Sequence, residues 1–116
     1  MNVLDAINAH VMWKLRLRKY VAGTSEESLD SAVVGTDHQC MLGKWIYSEG
    51  QAFSHLPEFK QMVEEHAQFH RCAAEIIDLV DEGESKEADG VLRGRYNRLS
   101  HDISGILTKL GRSLAA

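Results

Sequence analysis

Apolar residues recur at spacings of three and four along most of this chain, which is the period of an α-helix and not of a β-strand. The first such stripe contains Val3, Ile7, Val11 and Leu15, and it predicts a helix over residues 3–22 with Gly23 as its stop. The chain has a single proline, and no segment alternates apolar and polar residues as a half-buried strand does. The sequence therefore predicts an all-α fold.

The middle of the chain predicts a long connection, a short helix and a second long helix. Residues 23–39 are polar, and a connection of this length is either functional or contains a short helix of its own. Residues 40–49 are expected to form a short helix closed by Gly50, with Asp37 or His38 near its N-cap. Pro57 is expected to open the long helix, which ends at Gly83.

The last segment, residues 84–114, has the apolar pattern of a helix that packs along one seam. Its apolar residues alternate between spacings of four and three, at Leu92, Tyr96, Leu99, Ile103, Ile106 and Leu110. Three long helices and one short helix predict an antiparallel four-helix bundle, in which the short helix carries Cys40. We expect one domain over residues 1–116, and the long seam is compatible with either a homodimer or a monomeric bundle.

Composition excludes several classes of function. The 13 Lys+Arg and 17 Asp+Glu give a net charge of −4, which argues against nucleic acid as a partner because phosphate binding needs a basic face. No apolar run approaches the roughly 20 residues that span a bilayer, and the N-terminus does not resemble a signal peptide. We therefore expect a cytoplasmic domain without membrane contact, in which the two cysteines are free thiols or metal ligands.

Histidines interrupt the apolar stripes at three positions. His66 and His70 lie four residues apart on the buried face of the predicted long helix, and His10 lies on the buried face of the first helix. A buried imidazole needs a hydrogen-bond partner or a metal. Cys40 opens the short helix, where the helix dipole and free N–H groups favour a thiolate.

Together these four residues offer three imidazole nitrogens and one sulfur, a donor set that suits tetrahedral Zn²⁺. The sequence thus predicts a zinc site at His10, Cys40, His66 and His70. Core histidines without a metal are the alternative, and the chain would then be a metal-independent helical dimerisation module.

Three motifs in order along the chain give a more specific indication. They are His10-x-x-Trp13, the stretch Asp37-His38-Gln39-Cys40-Met41-Leu42-Gly43-Lys44-Trp45, and His66-x-x-Phe69-His70. Together they resemble the chemoreceptor zinc-binding family, also called the CZB domain. The resemblance implies a helical bundle in which His10, Cys40, His66 and His70 match the four zinc ligands of the family.

The resemblance also implies a biological role. Members of this family are cytoplasmic regulatory domains of bacterial signalling, often dimeric, and usually fused to chemoreceptor signalling regions or diguanylate cyclases. They are linked to the sensing of zinc or, through the zinc-bound cysteine, of oxidants such as hypochlorous acid. No signalling or cyclase sequence accompanies the domain here, so we expect such a module in cis or in trans.

The residues around the predicted ligands receive secondary roles. Asp37 and His38 are expected either to orient a ligand or to cap the short helix, and Trp13 and Trp45 to pack near the site and limit access of water. Cys40 is the expected redox-sensitive residue, because a sulfenic acid is a much poorer ligand than a thiolate. In the alternative mechanism, zinc itself is the input.

Other histidines and cysteines, and other classes of site, fit less well. Cys72 should point away from the site, His55 should lie in an exposed loop, and His101 should lie off the seam. An enzyme is not expected, because the residues between His66 and His70 include no carboxylate to act as a base and four protein donors would close the metal shell. A di-iron centre would need buried acidic residues, which the stripes lack.

Overall fold

The computed structural model describes residues 2–38 and 40–115; Met1, Gln39 and Ala116 of the predicted domain lie outside this range. The described chain is helical and without strands, which confirms the predicted all-α bundle. Its elements are α1 (Val3–Ala22), α2 (Ser31–Val34), α3 (Met41–Ile46), a 3₁₀ helix (Glu49–Phe53), α4 (Pro57–Asp81), α5 (Ser85–Val91), a π-helical segment (Leu92–Tyr96) and α6 (Asn97–Ala115). The last three form one continuous rod.

Helix α1 has the predicted bounds but not the predicted buried face. The Asn2 side chain caps its start, and Gly23 ends it with φ 76°. However, Val11 and Leu15 are 45% and 44% exposed. Residues spaced by four drift about 40° around a helix at each step, so the stripe turns away from the bundle. The row that faces the bundle instead alternates spacings of three and four, at Val3, Ala6, His10, Trp13, Leu17 and Tyr20.

The short helices differ from the prediction at their ends. Cys40 is itself the N-cap of α3, and its Sγ accepts the backbone N–H of Gly43 at 3.3 Å, so neither Asp37 nor His38 is the cap. Helix α3 ends at Ile46, and Gly50 lies buried in the 3₁₀ helix instead of closing α3. The long connection contains a short helix of its own, α2, whose N-cap is Asp30. This answers whether the connection between α1 and α3 includes a helix.

The predicted seam on the last helix is correct, and the chain uses it internally. All six of its apolar residues are buried, together with Ala88 and Leu107. They pack against α4 and α1, so they are not available to a second copy. The π-helical segment joins Ala88, Leu92 and Tyr96, which are spaced by four, and its wider turn keeps all three facing the core.

Contacts between the long helices define how they run. Val3 lies against Gly111 and Lys14 bonds to Asn97, so α1 runs antiparallel to α6. Glu75 pairs with Arg95, and α4 is likewise antiparallel to the last rod. Tyr20 near the end of α1 bonds to Asp81 at the end of α4, so these two helices run in the same direction. Residues 23–56 carry the chain back along the bundle, and this return path brings α2 and α3 beside α1 and α4.

None of the described helices combines the length and apolar character needed to cross a membrane.

Candidate metal centre

The return of the chain brings together four residues that are far apart in sequence. His10 of α1, Cys40 at the start of α3, and His66 and His70 of α4 each offer one ligand atom, and these atoms all lie within 4.8 Å of one another. The three histidines are buried, whereas Cys40 is half-buried. These are the four residues that the sequence singles out, and they are positioned to bind a metal ion. We refer to them as the donor cluster.

Backbone carbonyls orient two of the imidazoles. Nδ1 of His10 donates to the carbonyl oxygen of Ala6 at 2.7 Å, and Nδ1 of His70 donates to that of Val34 at 2.9 Å. A proton on Nδ1 leaves the lone pair on Nε2, which is the tautomer that a metal ligand needs. The Val34 carbonyl belongs to α2, so this short helix takes part in the site through its backbone. No side-chain pattern in the sequence could have predicted that role.

His66 lies at the middle of the cluster. Its Nε2 is 3.0 Å from Nε2 of His70 and 3.2 Å from Sγ of Cys40. Its Nδ1 is buried and finds no hydrogen-bond partner within the described chain. Lone pairs this close repel one another unless a proton or a cation lies between them. These atoms are therefore held together either by shared protons or by a cation at the centre of the cluster.

Burial keeps the three imidazoles neutral. Removal from water, together with the neighbouring His70 and His10, lowers the pKa of His66 to about 2. Burial also lowers the pKa of His10 and His70, although the hydrogen bonds to Ala6 and Val34 act in the opposite sense. Neutral imidazole is the form that coordinates metals. The three imidazoles of the donor cluster are thus in the protonation state that a cation requires.

Burial has the opposite consequence for Cys40, where it raises the pKa of the thiol. Backbone N–H groups at the start of α3 favour the thiolate, but burial outweighs them, and the nearby Asp37 carboxylate raises the pKa further. The helix start thus acts in the expected direction, but burial of the sulfur opposes it. A cation next to the sulfur would supply the missing stabilisation.

Gly43 allows the segment before Cys40 to pack against α3. A Cβ at Gly43 would lie 1.8 Å from the carbonyl oxygen of Asp37 and 2.8 Å from Cα of His38. The Asp37 carboxylate is fixed by the hydroxyl of Tyr47, which donates to it at 2.6 Å, whereas the His38 side chain is exposed. Sequence analysis missed Tyr47, and the glycine in Cys-x-Leu-Gly was the available signal for the close approach.

The two tryptophans occupy different surroundings. Trp13 lines a cavity that also touches Cys40 and His70, and the guanidinium of Arg16 lies 3.8 Å from the centre of its ring. Trp45 is buried against Phe53 and Phe59, on the side of α3 next to the 3₁₀ helix. The role of either residue in limiting access of water stays a prediction.

The remaining candidates lie outside the donor cluster. Cys72 is a buried free thiol, as expected for a residue two positions after His70. His55 and His101 are both exposed. The described residues form a single cluster of His, Cys, Asp and Glu side chains that could hold an ion, and it is the cluster that contains Cys40.

The observed separations suit a tetrahedral ion. Ligand atoms on one such zinc lie about 3.3–3.6 Å apart, which follows from bond lengths of about 2.0–2.1 Å for Zn–N and about 2.3 Å for Zn–S. The cluster spans this range, with its shortest separations at 3.0 and 3.2 Å and its longest within 4.8 Å. Small shifts of side chains would bring all four atoms to these distances. Borderline-soft nitrogen and sulfur donors fit zinc better than iron, for which carboxylates are usual.

Comparison with known proteins gives a match that covers the donor cluster. The sequence model described as "Chemoreceptor zinc-binding domain" (CZB) matches residues 10–77, which is more than half of the chain and includes all four donors. Neither a curated protein nor a solved structure matches the chain significantly.

Proposed function

The chain belongs to the chemoreceptor zinc-binding domain family, and we propose that His10, Cys40, His66 and His70 are the four ligands of one Zn²⁺ ion in a signalling domain. The observation that carries this proposal is the convergence of four donor atoms from three helices within 4.8 Å. The neutral imidazoles and the backbone carbonyls that orient His10 and His70 support it.

Bound zinc would hold Cys40 as a thiolate and would add the free energy of metal binding to that of folding. The chain's own residues then connect α1, α3 and α4 at one point. Four protein donors leave no coordination position open for a substrate, so we propose a regulatory role and no catalytic one.

Elemental analysis tests the ligand set. We expect one zinc per chain in the wild type and a loss of zinc in Cys40→Ala and His70→Ala. Cys72→Ala and His101→Ala are matched controls, because each removes the same type of side chain outside the cluster, and both should retain the metal. Equal zinc in all five proteins would refute the assignment.

We propose that the input is an oxidant that reacts with Cys40. This residue alone among the four donors is half-buried, so a small molecule reaches the cluster most easily at its sulfur. The thiolate takes chlorine from hypochlorous acid with release of hydroxide, and water then displaces chloride from the sulfur. The net reaction converts thiolate and hypochlorous acid into sulfenic acid and chloride. Sulfenic acid is a poorer ligand, so the link between α3 and the other helices weakens.

Treatment with stoichiometric hypochlorous acid tests this input. We expect mass spectrometry to find one added oxygen on Cys40 before Cys72, together with release of zinc. Cys72 is the internal control, since it is buried and outside the cluster. Unmodified Cys40 with fully retained zinc would exclude the redox mechanism.

Zinc occupancy is the second candidate input, and the packing of α1 favours it. His10 is one of the three side chains that this helix buries fully, so loss of the metal would remove a substantial contact between α1 and the bundle. Titration with zinc over the free concentrations found in cells distinguishes the two. If hydrogen exchange of the helices changes while the site is only partly filled with zinc, occupancy sensing is supported. If the site is saturated with zinc at every one of these concentrations, an oxidant is supported as the input.

We also propose that the domain forms a homodimer through α1 and signals to a chemoreceptor signalling or diguanylate cyclase module. Leu4, Val11 and Leu15 form one exposed stripe on α1, with Met12 beside it. An exposed apolar stripe of this kind is typical of an interface, and the same helix from a second copy would cover it symmetrically.

Light scattering of the zinc-loaded protein tests the dimer. We expect the mass of a dimer for the wild type and of a monomer for the double substitution Val11→Lys and Met12→Lys. Gln68→Lys, at an exposed position on α4, is the control and should leave the dimer intact. A monomeric wild type would refute the proposal.

A further inference from the structure

A cavity of about 410 Å³ lies between α1 and the segment that returns along it. Trp13 and Arg16 form its α1 side, and residues of the connection and α2 form the other. Two members of the donor cluster, Cys40 and His70, lie at its inner surface. The cavity therefore joins the solvent to the cluster.

The burial of the donors indicates which atom the cavity serves. His10, His66 and His70 are buried, and Cys40 is the half-buried member. The Sγ of Cys40 is thus the donor that a molecule in the cavity meets first. Cys72, the other cysteine, is buried and lines none of this cavity.

We infer that this cavity is the route by which small uncharged molecules reach the Cys40 sulfur, and that it admits them in preference to anions. The inference rests on the proposed function, because the cavity gives access to the Cys40 sulfur, which is the atom that reacts with an oxidant in that function.

The walls explain the preference for uncharged molecules. Trp13, Leu29, Val33 and Val34 make most of the exposed lining apolar, and a charged solute loses hydration against these side chains. Asp30 supplies the one carboxylate of the lining and Arg16 its one guanidinium.

That arginine is already engaged. Its guanidinium bonds to both carboxylate oxygens of Glu27, at 3.0 and 2.7 Å, and lies over the Trp13 ring. An incoming anion would have to displace the Glu27 carboxylate before it could pair with the Arg16 guanidinium. The carboxylate of Asp37 lies close enough to Cys40 to act on its sulfur, and it would repel an anion there.

Two thiol reagents that differ in charge test the preference. Methyl methanethiosulfonate is uncharged, and its 2-sulfonatoethyl analogue is an anion. In each reaction the Cys40 sulfur attacks the sulfenyl sulfur, a disulfide forms, and methanesulfinate leaves. The protein is zinc-loaded and carries Cys72→Ala, so mass spectrometry follows Cys40 alone.

We expect the rate ratio of uncharged to anionic reagent to exceed that of a free cysteine peptide by about tenfold or more, a factor typical of charge effects on association. The same ratio as in the peptide would refute the preference.

Blocking the cavity tests the route. Val33→Trp places a large ring at its mouth, on a side chain that is 49% exposed and therefore not needed for the core. Ala32→Trp is the matched control, because the neighbouring residue of α2 is exposed and does not line the cavity. Ser28→Trp blocks the same cavity from the connection, in case the change in α2 disturbs the fold.

We expect Val33→Trp and Ser28→Trp to slow modification of Cys40 by about fivefold or more, because reaction of a thiol depends on access, while Ala32→Trp keeps the parent rate. Equal rates in all three would refute the route. Zinc content is measured in each sample and also in Cys40→Ala and His70→Ala. If both of these ligand variants kept their zinc, the proposed metal site would be refuted, whatever the reaction rates of the cavity variants. The failure of the route and the failure of the metal site are therefore distinguishable.

Discussion

Helices α1 and α6 both pack against α4, but they do so by different means. Helix α6 buries a row of large apolar side chains that includes Leu99, Ile103 and Leu107. Helix α1 buries only Ala6, His10 and Leu17 completely, and leaves Leu4, Val11, Met12 and Leu15 exposed. One helix is attached by a core of ordinary type, and the other by a thinner apolar row together with His10 of the donor cluster.

The difference shows where the stability of each half comes from. Burial of apolar area stabilises α6 whether or not a metal is bound, at about 25 cal/mol per Å². Beside α1, the neutral imidazole of His66 lies between His70 and the Cys40 sulfur, and these groups attract one another only through a shared proton or cation. We therefore expect the α1 side to respond to the metal and the α4–α6 side to be largely indifferent to it.

Removal of the metal should have the largest effect. After a strong chelator, we expect hydrogen exchange to accelerate across α1 and residues 23–46, while α4 and α6 keep most of their protection. Structural zinc contributes on the order of 10–16 kcal/mol in zinc-finger peptides, which is comparable to the whole stability of a domain. Cys40→Ala should reproduce the pattern without chelator, and equal loss of protection in both halves would contradict the comparison.

A core substitution in α6 should have the next largest effect. Leu107 is fully buried, so Leu107→Ala should lower the free energy of unfolding of the zinc-loaded protein by about 2–5 kcal/mol in urea titrations. Zinc stoichiometry should not change. Lys109→Ala, at an exposed position of the same helix, is the control and should cost little. Loss of zinc from Leu107→Ala would show that the two halves are not independent.

Gly43→Ala should damage the site from outside the donor cluster. The new methyl group meets backbone atoms of Asp37 and His38, which cannot move without displacing the start of α3. We expect a loss of about 1–3 kcal/mol in stability and faster transfer of zinc to a chelator. Retention of zinc at the wild-type rate would mean that the segment before Cys40 adapts without affecting the site.

The smallest expected effect is a gain. A Cβ at Gly105 of α6 would meet nothing within 4 Å, so Gly105→Ala should raise the unfolding free energy by about 0.5–1 kcal/mol through helix propensity alone. It is also the matched control for Gly43→Ala, since both replace a helical glycine by alanine. A destabilised Gly105→Ala would indicate that α6 has a partner on that face.

Much of the fold was predictable because helical signals are local. The cap at Gly23, the proline at the start of α4 and the positive φ of 83° at Gly83 each act within one turn of chain. The rotation of α1 was not predictable from its stripe at spacing four, since a row at alternating spacing, including Ala6 and His10, faces the bundle instead. The capping of α3 by Cys40 was missed because aspartate, which Asp37 supplies just before it, is a more usual N-cap residue than cysteine.

The donor residues were predictable because histidines stand out on an apolar face, and the motifs around Cys40 added to that signal. The orientation and protonation of these residues, which suit them to bind a cation, were not predictable. The carbonyl of Val34 that orients His70 comes from a helix of four residues, and its contact spans 36 positions of sequence. The balance at Cys40 between the helix start and burial likewise depends on how deeply the folded chain buries the sulfur.

The sequence by itself determined the helices and the identity of the donors, since periodicity, caps and residue chemistry are written locally. Only the tertiary structure decided that the segment between α1 and α4 runs back beside α1. This return places the Cys40 sulfur next to the donors on α1 and α4, two helices that are far apart in the sequence. It also decided which side of α1 stays exposed. Both outcomes depend on contacts between segments that are distant in sequence. The free energy of these contacts is set by burial and geometry in the folded chain, and the order of residues within one helix does not determine it.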